Sequence, residues 1–164
     1  MLGKRKLAEI LSVSFLLSVS IVVILLNFFF LGPTTSENNE SFAGTFLFIA
    51  VYVCATAVAY VLSDRFVLRF VLGYFAFTLV CSVITLIISI LDVSYNALLT
   101  VIAAPPIAFL GAYVLIPLQY TVSILSVIFS FGFMAAAFFM LRKIAQKETA
   151  EAVLHPHVCK NGKN

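Results

Sequence analysis

Hydroxyl groups are the chemistry this sequence repeats most regularly. Thr78, Ser82, Thr85 and Ser89 follow one another at the alternating four- and three-residue spacing that puts side chains on one face of an α-helix. Asp92 continues that face. Ser123, Ser126 and Ser130, preceded by Gln119, repeat the pattern later in the chain, and Thr45, Tyr52, Thr56 and Ser63 do so more loosely. On helices that lie in hydrocarbon, such a face holds helices together through interhelical hydrogen bonds, or it lines a polar path for a solute. The packing reading is the stronger. No Asp, Glu, Lys, Arg or His lies in the middle of any apolar segment, and proton relays and ion-coupled carriers need such groups at membrane depth.

Other chemistry is sparse. His155, His157 and Cys159 alternate in the tail and are of types that suit zinc or copper, but a fourth ligand would have to come from elsewhere. The expectation is a solvated tail with no metal and no cofactor. There is no H-E-x-x-H, no G-x-S-x-G and no phosphate-binding glycine loop, and no carboxylate pair inside an apolar segment, so no catalytic residue is assigned and an enzyme is not expected. Cys54 and Cys81 sit in apolar segments and Cys159 is alone, which is not a disulfide framework.

The elements that carry these residues are set by hydropathy. Of the 164 residues 63% are apolar and 10% charged, with mean hydropathy +1.15, which a water-soluble domain of this size has too little interior to hide. A hydrocarbon core of about 30 Å takes about 20 residues of helix. Segments 10–31, 42–62, 70–91 and 120–141 meet that length and are expected to span. They are joined by an acidic external loop at 32–41, which holds no Lys or Arg, a tight cytoplasmic turn at 63–69 and an external turn at 92–96. Residues 1–9 form a basic cytoplasmic start and 142–164 a polar tail that begins helical. In the turn at 63–69, Asp64 is a plausible helix N-cap, while Arg65 and Arg69 lie one turn apart where both reach one interface.

A fifth apolar segment, 97–116, is interrupted by Pro105 and Pro106. The pair removes two amide donors and marks a hinge, giving either a re-entrant segment or a kinked spanning helix. Charge parity bears on the choice. All ten Lys and Arg lie at 4–6, at 65 and 69, or from 142 onward. An even number of crossings puts every one on the N-terminal side of the membrane, and an odd number splits them. Short cytoplasmic connections carry the Lys and Arg, so four crossings are expected, with both termini cytoplasmic and 97–116 bent back on itself.

The fold expected is therefore an all-α integral membrane protein of the plasma membrane, a bundle of four spanning helices with the Pro-Pro segment as a fifth apolar piece. Its surroundings are the lipid bilayer and a second copy or another membrane protein. Nucleic acid is not an expected partner, because basic flanks of spanning segments already explain the net charge of +3. The expected role is that of an accessory, regulatory or assembly protein acting through helix contacts. The alternative is passive permeation or small neutral-solute transport by an oligomer. Small residues four apart, Ser14 with Ser18, Ala55 with Ala59 and Gly132 with Ala136, permit close helix approach and are expected mainly inside the bundle.

Overall fold

The computed structural model describes residues 2–30, 39–91, 105–106 and 121–154, with side chains placed for 6–26, for 43–91 apart from Ser89, for 105–106 and for 123–150. Four α-helices make up nearly all of these residues: α1 (Leu2–Phe30), α2 (Asn39–Val61), α3 (Arg65–Ile90) and α4 (Thr121–Leu154). There is no strand among the described residues. Each helix is long and apolar enough to cross a membrane, over Lys6–Leu26, Ala43–Val61, Arg65–Ile88 and Ser123–Ala150.

The α2–α3 connection is compressed into Leu62, Ser63 and Asp64. The Asp64 N–H donates to the Ala59 carbonyl at 2.7 Å and the Ser63 N–H to the Tyr60 carbonyl at 3.1 Å, the paired bonds of a Schellman C-cap. That motif needs a left-handed residue, and Ser63 supplies it with φ at 54°. Asp64 then caps the next helix, accepting from the Phe66 and Val67 N–H groups at 3.0 and 3.1 Å. Because the cap falls at Asp64, the residues from Arg65 to Arg69, expected in a turn, form the opening of α3 instead. At the other end of the chain, α4 runs on well past Leu141. The good helix formers of the tail, among them Arg142, Lys143, Ala145, Lys147 and Glu148, carry it forward.

Pairwise contacts fix the directions. Ser20 of α1 meets Tyr52 of α2, and Ser12 shares a groove with Leu62 and Asp64, so α1 and α2 are antiparallel. Ser82 meets Ser126, Phe75 stacks on Phe133 and Arg65 pairs with Glu148, so α3 and α4 are antiparallel as well. The beginning of α1, the α2–α3 turn and the end of α4 therefore gather at one end of the bundle. The far end receives the end of α3 and the start of α4. Of segment 97–116 the structure describes Pro105 and Pro106 alone. Both are helical and Pro106 is buried, while the hinge and the re-entrant or kinked course expected of the segment lie outside the described residues.

Inside the bundle Phe48, Tyr52, Leu68, Val71 and Phe75 are fully buried. Their rings interlock: Phe75 stacks on Phe133 at 4.4 Å between centroids, Tyr52 meets Phe75 edge-on at 5.0 Å, and Tyr74 stacks on Tyr52 at 5.3 Å. The outward faces are as apolar as the core, with Leu11, Phe15, Ile21, Phe46, Phe77 and Phe131 all more than half exposed. Lipid tails are as apolar as these side chains, so burial from water cannot hold such helices together once they are in hydrocarbon. Close packing of rings and interhelical hydrogen bonds must do so.

Candidate functional site

The hydroxyl faces of α3 and α4 meet each other. Thr78, Ser82, Ser126 and Ser130 are completely buried, and Thr85 and Ser123 nearly so, while the side chain of Ser89 lies outside the described residues. On α3 each hydroxyl also donates back one helical turn, Thr78 to the Tyr74 carbonyl at 3.0 Å, Ser82 to the Thr78 carbonyl at 2.7 Å and Thr85 to the Cys81 carbonyl at 2.8 Å. Ser82 Oγ and Ser126 Oγ are 2.6 Å apart. A hydroxyl has one hydrogen, and Ser82 gives its own to Thr78. Ser126 is therefore the donor across the seam and Ser82 the acceptor. The Oγ of Ser130 is buried with no hydrogen-bond partner among the described residues. The Ser82–Ser126 pair joins α3 to α4 within the most extensive helix–helix contact among the described residues.

A second polar junction joins α1 to α2. Ser20 Oγ donates to the Leu16 carbonyl at 2.8 Å and lies 2.8 Å from Tyr52 Oη, so by the same count Tyr52 is the donor. Both residues are buried, in the middle of the ring cluster. Tyr52 was legible in the sequence as part of a loose polar face on the second segment, but Ser20 was not singled out, since one serine among many in α1 carries no signal until a partner faces it. Next to this junction Tyr74 Oη is buried with no hydrogen-bond partner among the described residues.

The small-residue pairs divide. Ala59 is buried and Ala55 half-buried, facing α1, as expected for internal packing. Ser14, Ser18 and Gly132 are exposed on the outside of the bundle, with Ala136 half-buried. At the charged end, Arg65 donates from Nη2 to Glu148, tying the start of α3 to the extension of α4. No group of three His, Cys, Asp or Glu side chains comes together among the described residues, and His155, His157 and Cys159 lie outside them.

The chain matches no protein-family model, no curated protein and no solved structure.

Proposed function

We propose that this is an integral membrane protein that crosses the bilayer four times, with both termini in the cytoplasm, and that it serves as an accessory or assembly protein through helix contacts with a second copy or another membrane protein. The four apolar helices, their antiparallel order and the gathering of Lys6, Arg65, Arg69, Arg142 and Lys147 at one end support the topology, since a cytoplasmic face is where short connections concentrate Lys and Arg. With α3 ending and α4 beginning at the far end, a segment joining them starts and finishes on the same side of the bilayer.

One observation carries the functional reading. The hydroxyls at the α3–α4 seam are buried inside the bundle, whereas Ser14 and Ser18 of α1 face out, on a stripe with Leu7, Leu11, Ile21 and Leu25 that is exposed throughout. The stripe repeats at the four-and-three spacing of a left-handed helix pair, with small hydroxyl residues at its centre where backbones approach most closely. Solute passage finds less support. Ser82 and Ser126 at 2.6 Å leave no room for a water between them.

Two copies carrying different tags, co-expressed and extracted in mild detergent, provide the test. Capture of one should recover the other or a stoichiometric membrane partner, and Ser14→Leu with Ser18→Leu should abolish it by keeping the backbones apart. A monomeric, partnerless wild-type particle would overturn the reading.

A further inference from the structure

At the end of the bundle where the basic residues gather, α3 and α4 border a groove of about 400 Å³ lined by Arg65, Arg69, Arg142, Leu72, Phe138 and Leu141. The lining is ordered by depth. α3 runs inward from this end and α4 runs outward to it, so on both helices the arginines lie nearer the end and Leu72 and Phe138 lie deeper. From Arg65 to Leu72 the descent is about 10 Å, at 1.5 Å per residue. Charge in the groove is only partly compensated among the described residues. Glu148 pairs with Nη2 of Arg65, whose Nε is buried without a hydrogen-bond partner. Arg69 and Arg142 make no ion pair among the described residues.

A cleft with guanidinium forks at its mouth and hydrocarbon at its floor is complementary to a molecule that is anionic at one end and apolar at the other. Resting on the membrane reading above, we infer that the groove binds an anionic phospholipid, its phosphate held by the arginines and an acyl chain lying along Leu72 and Phe138. Arginine suits this role because its planar fork meets two phosphate oxygens at once. Basic pockets between helices on the cytoplasmic side are where such head groups are recognised. A free inorganic phosphate would use the arginines and gain nothing from the apolar floor.

Native mass spectrometry of the full chain in detergent tests this, with phosphatidylglycerol, phosphatidylcholine and inorganic phosphate as the added probes. The wild type should retain phosphatidylglycerol in preference to phosphatidylcholine, and inorganic phosphate should not compete. Each arginine removed should weaken binding about five-fold, so Arg69→Gln with Arg142→Gln should weaken it about twenty-five-fold. Lys6→Gln with Lys143→Gln removes the same charge from the same end outside the groove and should change binding less than about two-fold. Arg69→Lys with Arg142→Lys keeps the charge and the fold but loses the forks, and should weaken binding several-fold. Equal loss in the groove and control pairs, equal retention of phosphatidylcholine, unchanged binding in the lysine variant, or competition by inorganic phosphate would each overturn the inference. A chain that stays in solution without detergent would instead overturn the membrane reading on which it rests.

Discussion

Removing one partner of the Ser20–Tyr52 hydrogen bond should not cost the same as removing the other. Ser20 gives its only hydrogen to the Leu16 carbonyl, so the bond between the two side chains depends on the Tyr52 O–H as donor. Both groups are shut away, Tyr52 at 0% and Ser20 at 2% exposure. Tyr52→Phe deletes the donor and leaves Ser20 with a spare lone pair, which should cost about 0.6 kcal/mol, the average for a hydrogen bond between membrane helices. Ser20→Ala instead strands a buried O–H among Phe48, Phe75 and Phe133. An unsatisfied buried donor costs about 1–3 kcal/mol, so this variant should be the less stable of the two. Adding Tyr52→Phe to Ser20→Ala should then restore stability to near the level of Tyr52→Phe alone. The nearby Tyr74 Oη is a potential substitute acceptor, so the cycle belongs in a Tyr74→Phe background. Equilibrium unfolding in mixed micelles, followed by far-ultraviolet circular dichroism, reads the differences. Equal costs for the two single variants, or a double variant less stable than Ser20→Ala, would refute the donor assignment.

Three further variants probe different forces. Asp64→Ala removes the acceptor of the Phe66 and Val67 N–H groups and should cost about 1 kcal/mol in thermal unfolding, whereas Asp64→Asn should recover most of it. Phe75→Ala empties the centre of the ring cluster, where the side chain stacks on Phe133 at 4.4 Å, and should cost about 3–5 kcal/mol, the largest loss of the set. Glu148→Gln breaks the pair with Arg65, but with side chains 37% and 57% exposed the effect on unfolding should stay below about 1 kcal/mol.

The hydroxyl faces were readable because a polar residue in an apolar helix stands out, and the alternating spacing of Thr78, Ser82, Thr85 and of Ser123, Ser126, Ser130 gave each a direction. That the two faces meet each other was not readable. The ring cluster was hidden for the opposite reason: when every face of a helix is apolar, Phe48, Phe75 and Phe133 look no different from the outward Phe46, Phe77 and Phe131, and periodicity carries no information about which side is inside. The Asp64 cap was visible, but the left-handed Ser63 was not, since a glycine would have been the usual sign of such a turn. Arg65 and Arg69 were placed at one interface by their spacing. Their convergence with Arg142 needs the antiparallel pairing of α3 and α4, a tertiary fact that no local pattern encodes.

Orientation is the decisive measurement: the end of the bundle holding Arg65 and Glu148 should face the cytoplasm together with both termini. Single cysteines at Ser36, Asn96 and Asn164, each in a background without Cys54, Cys81 and Cys159, can be exposed to a membrane-impermeant maleimide in intact cells. Four crossings predict labelling at Ser36 and Asn96 and none at Asn164 until the cells are opened. Labelling at both Ser36 and Asn164 in intact cells would establish an odd number of crossings and split the ten Lys and Arg between the two sides, and labelling at Asn164 without Ser36 would put both termini outside; either result contradicts four crossings with cytoplasmic termini.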